Sequence, residues 1–231
     1  MKHKKIVEKV ETSHPKQEFQ VERIAFFSDA IFAIAITLLI IEFKVPHIEK
    51  DTSFEKAFTD ILNLKYSLFS LLLSFYLIAS YWIKHHFLFK HIVNYNRTIV
   101  VANMFTLLPI IFFPFTTAYI AETIENENVV VLGLRIFLIN HLLANLSIYL
   151  FYWLTLVKHK ELTYPMETLE RKRFNSKTLL SIFILSLGLI MTFLFSNMEI
   201  IFWTLSISMI FQSVFKRIYS RIKVKSKSKE T

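Results

Sequence analysis

The chain has 231 residues, of which 54% are apolar, with 24 phenylalanines, two glycines (Gly133 and Gly188) and no cysteine. So much apolar surface with so little turn-forming glycine excludes an ordinary water-soluble domain. The missing cysteines exclude a disulfide framework, a thiolate metal site and a Cys nucleophile. A net charge of +9 is compatible with nucleic-acid binding, but the basic residues flank long uncharged runs, so the charge reads as a topology signal with lipid contact. No nucleic-acid partner is expected.

The tail MKHKKIVEKVETSHPKQEFQ is polar and lacks an apolar stretch followed by a small-residue cleavage site, so no removable signal peptide is expected. The first span covers 23–44, and its apolar run from Ile24 to Ile41 is interrupted only by Asp29. Residues 51–60, DTSFEKAFTD, place Phe54, Ala57 and Phe58 at helical spacing and are expected in the outer interface. Further spans follow at 62–84, 98–121, 132–157 (containing His141), 177–197 and 199–218. A bilayer core about 30 Å thick takes about 20 helical residues to cross, and these runs are too uniformly apolar for barrel strands. The chain therefore reads as an all-α integral membrane protein, one domain over 1–231 with six transmembrane helices and short basic tails. Of the 27 Lys and Arg, all but Lys44, Lys50, Lys56, Lys65 and Arg135 fall on the side that holds both termini. That bias predicts cytoplasmic N- and C-termini.

No enzyme signature is present: there is no Gly-rich phosphate loop, no GxSxG and no HExxH. No enzyme activity, cofactor or metal is expected. His85, His86 and His91 invite a metal reading, yet no carboxylate or Cys accompanies them, and hydrogen bonding or solvation suits them better. His141 could relay protons, but an intramembrane histidine more often bonds a neighbouring helix.

The first span, RIAFFSDAIFAIAITLLIIEFKVP, carries the most information. At about 100° per residue, with Ile34 at zero, Ala30 falls at about −40°, Thr37 at about −60°, Leu38 at about +40° and Ile41 at about −20°. Arg23 and Phe27 extend this aliphatic stripe. Asp29, at about −140°, and Phe32, at about 160°, lie on the opposite side. An ionisable residue within a span should face protein or water, so Asp29 argues that the rear of the helix is packed against other helices. Ordinary packing explains aliphatic residues at i, i+4 and i+7 equally well, and Thr37 can back-bond to its own helix.

Arg23-x-x-x-Phe27-Ser28-Asp29 followed by AIFAIAITLLIIEFKVP resembles the signature of the bacterial relatives of the lysosomal potassium channel transmembrane protein 175. Trp82-x-x-His85 closing the second span, and Asn103 opening a stretch that ends in Pro114-Phe115-Thr116-Thr117, fit the same pattern. The last three spans match only in hydropathy and length. The resemblance implies a homotetramer in a bacterial plasma membrane, with the first helix of each copy lining a central pore. It implies passive conduction of potassium, and of other monovalent cations, without a Thr-Val-Gly-Tyr-Gly filter, which this sequence lacks. Matched residue by residue, it places the pore constriction at Ile34, with further aliphatic layers at Leu38 and Ile41 and a selectivity hydroxyl layer at Thr37. It assigns Arg23, Phe27, Ser28, Asp29, Trp82, His85 and Asn103 to a structural or gating network. His86 beside His85 leaves open which imidazole joins that network. Glu42 would concentrate cations at the outer mouth, although its wheel angle is off the stripe. The alternative is a secondary transporter or proton-coupled carrier using Asp29 and His141. It is disfavoured because Pro109 and Pro114 break only one span, with no matching pair later.

Overall fold

A computed structural model describes residues 15–195. Span 199–218 lies outside the described residues, and span 177–197 is described only in part. The described chain is helical: α1 (Pro15–Ile41), α2 (Phe54–Asn63), α3 (Lys65–Phe89), α4 (Arg97–Thr123), α5 (Val130–Tyr152) and α6 (Thr168–Leu194). A π-helical turn, Trp153–Lys158, and a 3-10 turn, Lys160–Leu162, join α5 to α6. No strand occurs among the described residues; an isolated antiparallel bridge pairs Ile92 with Thr163. Five helical segments are long and apolar enough to cross a membrane: Gln20–Ile41, Phe54–Phe89, Arg97–Thr123, Val130–Lys158 and Thr168–Leu194. This is a multi-pass membrane protein.

Local chemistry accounts for the boundaries. Pro15 occupies the first turn of α1, where its missing N–H costs nothing. The helix stops at Ile41, ahead of Pro46. Ser53 caps α2 by accepting from the Lys56 N–H, and Asn96 caps α4 by accepting from the Ile99 N–H at 2.9 Å. Pro109 and Pro114 lie buried inside α4. There the Asn140 side chain donates to the Pro109 carbonyl at 3.1 Å, which ties α5 to the proline-containing stretch of α4. Gly133 is fixed by close approach: a Cβ there would overlap Thr123 Oγ1 and sit 3.4 Å from the Ile120 backbone. The glycine lets α5 press against the end of α4.

Helices α4 and α5 form the most extensive pair. Helix α6 packs on the far side of α5, while α1 packs on α3 and α4. Helix α1 thus sits at one flank. Its rear buries Phe32, Ala35 and Leu39 in a core shared with Ile78, Tyr81, Ile110 and Phe151. Helix α2 buries no residue and leaves Phe54 and Phe58 stacked and exposed.

Candidate functional site

Two faces of α1 behave differently. The face with Ser28, Phe32, Ala35 and Leu39 is nearly solvent-free. The opposite face exposes Phe27, Ala30, Ile34, Thr37 and Ile41, with Ile34 56% and Ile41 71% accessible; Leu38 is half-buried at its margin. The exposed face is the aliphatic stripe read from the sequence, and no described element covers it. Thr37 Oγ1 donates to the Ile34 carbonyl at 2.9 Å. The hydroxyl proton is held by the helix, which leaves an oxygen lone pair on the exposed face.

The packed face is tied down by a directed hydrogen-bond chain. His85 Nε2 pairs with Asn103 Oδ1 at 2.8 Å, and Asn103 Nδ2 donates to Ser28 Oγ at 2.9 Å. Ser28 Oγ in turn donates to the Ile24 carbonyl at 2.9 Å. Because the Asn103 oxygen can only accept, His85 carries its proton on Nε2 in this arrangement. All three side chains are essentially inaccessible to solvent. The His85 imidazole stacks with Phe89 at 4.6 Å and Phe151 at 5.8 Å, and tilts against Phe32 at 5.4 Å. A buried polar side chain so enclosed must keep its partners or leave groups unsatisfied. One residue from each of α1, α3 and α4 therefore meets at one point. Beside it, Trp82 Nε1 donates to Asp29 Oδ1 at 2.8 Å, which gives the half-buried carboxylate a partner on α3.

Of the network residues expected from the sequence, Ser28, His85 and Asn103 come together in one chain, and Asp29 pairs with Trp82. The imidazole in the chain is His85. His86 is exposed and tilts against the Trp82 ring, and His91 Nδ1 sits 3.0 Å from the Phe87 carbonyl. The three histidines thus have three different surroundings. Arg23 and Phe27 do not reach the chain; both line a groove at the basic end of α1. Glu42 is exposed just past the end of α1. At the same end, Lys44 and Glu122 form an exposed ion pair at 2.9 Å.

A second buried polar cluster escaped sequence reasoning in all but one member. The Tyr81 hydroxyl lies 2.8 Å from His141 Nδ1 and 3.0 Å from the His141 carbonyl. Asn145 Nδ2 donates to the Tyr81 hydroxyl and to the His141 carbonyl, and Lys84 Nζ donates to Asn145 Oδ1 at 3.3 Å. His141 thus bonds a neighbouring helix. Tyr81 and Lys84 at i, i+3, with His141 and Asn145 at i, i+4, share one face of their respective helices. That spacing is the signal by which the cluster could have been found.

Residues 23–114 match the family model described as endosomal/lysosomal potassium channel TMEM175. A potassium channel of Chamaesiphon minutus is 36% identical over 106 residues, which is 46% of this chain and 52% of that one. A potassium channel of Streptomyces collinus is 32% identical over 106 residues, covering 46% and 50%. The endosomal/lysosomal proton channel TMEM175 of Danio rerio is 30% identical over 101 residues, covering 42% and 19%. The chain spans about half the length of the bacterial relatives it matches. The crystal structure of a lysosomal potassium-selective channel TMEM175 homolog from Chamaesiphon minutus superposes with a TM-score of 0.66. It is 23% identical, and the match covers 86% of this chain and 97% of that one. A variant of the potassium channel MtTMEM175, in complex with a nanobody fusion, gives 0.56 at 20% identity over 86% and 93%. The fold is that of these channels, and residues 23–114 are similar to the TMEM175 family.

Proposed function

We propose that this TMEM175-like chain is a potassium-permeable cation channel of a bacterial plasma membrane. Four copies assemble with α1 of each lining a central pore, and both termini are cytoplasmic. The observation that carries the reading is the asymmetry of α1: its rear is packed and hydrogen-bonded to α3 and α4, while Ile34, Thr37 and Ile41 stand exposed on the other side. Copies of this chain meeting through that stripe would close a ring of aliphatic side chains.

In this account Ile34 forms the narrowest ring, with Leu38 and Ile41 as further aliphatic layers. A narrow ring of aliphatic side chains excludes ions by dewetting, and a slightly wider one wets and conducts. Thr37 faces the same path. Its proton is engaged with the Ile34 carbonyl, so its oxygen can accept only from water or a cation and replaces part of the lost hydration. The Ser28–Asn103–His85 chain and the Trp82–Asp29 bond hold the helix against its scaffold and fix how far the ring can open. The permeant species is K+, with other monovalent cations; no resident cofactor is required. The potassium-channel relatives and the Lys/Arg bias support this reading.

The test is potassium flux from liposomes holding the purified protein. Ile34→Asn replaces the aliphatic ring with a wettable one, and flux should rise roughly tenfold, the effect of about 1.4 kcal/mol off the permeation barrier. Absence of potassium flux in both the native and the substituted protein overturns the channel reading.

A further inference from the structure

Phe174 of α6 stacks on Phe87 of α3 at 5.9 Å and packs against Tyr152 of α5 at 5.0 Å, so three helices converge at the basic end of the bundle. The loops that follow α3 and precede α6 meet at that end through the Ile92–Thr163 bridge. Lys84 lies three residues before Phe87, and Lys177 lies three residues after Phe174. Both therefore stand about 4.5 Å membrane-ward of the ring stack, level with each other. The Lys177 ammonium is close enough to repel that of Lys84. Lys84 is half-buried and pinned: Nζ donates to Asn145 Oδ1 at 3.3 Å and lies 5.0 Å from the Tyr81 ring centroid. Asn145 takes one of its three N–H groups and leaves two. No carboxylate pairs with Lys84 among the described residues. Further into the membrane, Leu77 shares the helix face of Lys84 and Leu180 that of Lys177, and both are half-buried. This corner is remote from the α1 stripe that the proposed assembly turns toward the other copies, because α6 packs on the far side of α5.

We infer that Lys84 and Lys177 together hold the phosphate of an anionic phospholipid from the leaflet at the basic end, with an acyl chain running past Leu77 and Leu180. Charge complementarity selects this occupant. Two like charges at one level repel each other unless an anion lies between them, and an ammonium bonds phosphate as a compact point charge. Basic pockets between helices on the cytoplasmic side suit anionic headgroups, which are concentrated in that leaflet. A free phosphate would answer the charges but leave Leu77 and Leu180 uncovered. A zwitterionic lipid would cover them but lacks the net negative charge. The inference rests on the proposed assembly only in that α1, not α6, faces the other copies. Lys84 shares Asn145 with Tyr81 and His141, so a bound headgroup would bear on the cluster that joins α3 to α5.

The experiment uses the full chain in phosphatidylcholine liposomes doped with phosphatidylglycerol that carries a photoreactive diazirine on one acyl chain. Adducts are mapped by mass spectrometry. Labelling should fall on 77–84 of α3 or 177–184 of α6. It should drop about fivefold in Lys177→Gln, the contribution of about one basic residue at an anionic surface. Lys177 is exposed, so that variant tests the site even where Lys84→Met impairs folding. Lys84→Met should lower labelling to a similar extent, and Lys177→Arg should keep it. Unlabelled phosphatidylglycerol should compete, whereas inorganic phosphate should not. Equal labelling by the phosphatidylcholine analogue, or labelling unchanged in Lys177→Gln, overturns the inference. Competition by inorganic phosphate makes the pair a free-anion site and also overturns it. In a second arm, a photoreactive amino acid replaces Leu180, and its adduct should be lipid. An adduct with residues 199–218 or with a second copy, and none with lipid, overturns the inference as well. The readout needs no ion flux, so its failure and that of the channel reading are separately visible.

Discussion

Two buried polar clusters hang on one helix and do different work. Trp82 and His85 of α3 reach α1 and α4, where His85, Asn103 and Ser28 pass hydrogen bonds in one direction onto the backbone of α1. Tyr81 and Lys84, each one residue earlier on the same helix, turn toward α5 and meet His141 and Asn145. A step of one residue is about 100° of rotation, enough to address a different neighbour. The second cluster closes on itself, since Asn145 bonds both the Tyr81 hydroxyl and the His141 carbonyl. It locks two scaffold helices in the middle of the bundle. The first cluster ends on a flank helix with nothing packed beyond it among the described residues, so it restrains the proposed pore wall. Under the proposed function, similar buried polar chemistry would serve rigidity between α3 and α5 and the tethering of the pore helix between α3, α4 and α1.

The comparison predicts separable failures. The largest loss of stability should come from Asn145→Ala. It strips partners from Tyr81 and Lys84 inside the bundle and should cost about 2–3 kcal/mol. The expected readout is a clear fall in thermal unfolding temperature in detergent, with flux per folded channel unchanged. A change in flux per channel without loss of stability would erase the distinction between the clusters. Next comes Asn103→Ala, which breaks two bonds and frees Ser28 and His85. Membrane hydrogen bonds of this kind average about 0.6 kcal/mol each, so stability should fall by only about 1 kcal/mol. Potassium flux should nevertheless shift severalfold, because the restraint on α1 is gone. The smallest effect is expected from Trp82→Phe, which keeps the ring but removes the donor to Asp29. Stability should drop by about 0.5 kcal/mol, with flux displaced in the same direction as in Asn103→Ala. Opposite directions would show that the two contacts do not act on one helix position.

Much of this was legible in the sequence, and the physical reasons are specific. The stripe of Ile34, Thr37 and Ile41 was readable because a helix converts spacing into a face. Asp29 was readable as facing protein because an ionisable group in lipid is costly. The rear, however, centres on Ser28, Phe32, Ala35 and Leu39 rather than on Asp29, which sits at its edge. A small serine gives a wheel little weight, although its depth makes it a hydrogen-bonding anchor. The choice between His85 and His86 was not legible, since neighbouring residues differ by a rotation that only the partners fix. The expectation that Arg23 joins Asp29 came from the resemblance alone, and the structure places Arg23 in the groove instead. The start of α1 at Pro15 was also hidden, because its first turns are polar and hydropathy follows the membrane rather than the helix.

The central claim, that the exposed face of α1 lines the ion path while its rear is buried protein, has a direct test because the chain contains no cysteine. Single substitutions Ile34→Cys, Thr37→Cys and Ile41→Cys are compared with Ala35→Cys and Leu39→Cys. Each is exposed to a positively charged, water-soluble thiol reagent while potassium flux is recorded. The account predicts rapid modification with loss of flux at positions 34, 37 and 41, and none at 35 and 39. Block at 35 or 39 with positions 34, 37 and 41 inert would contradict it.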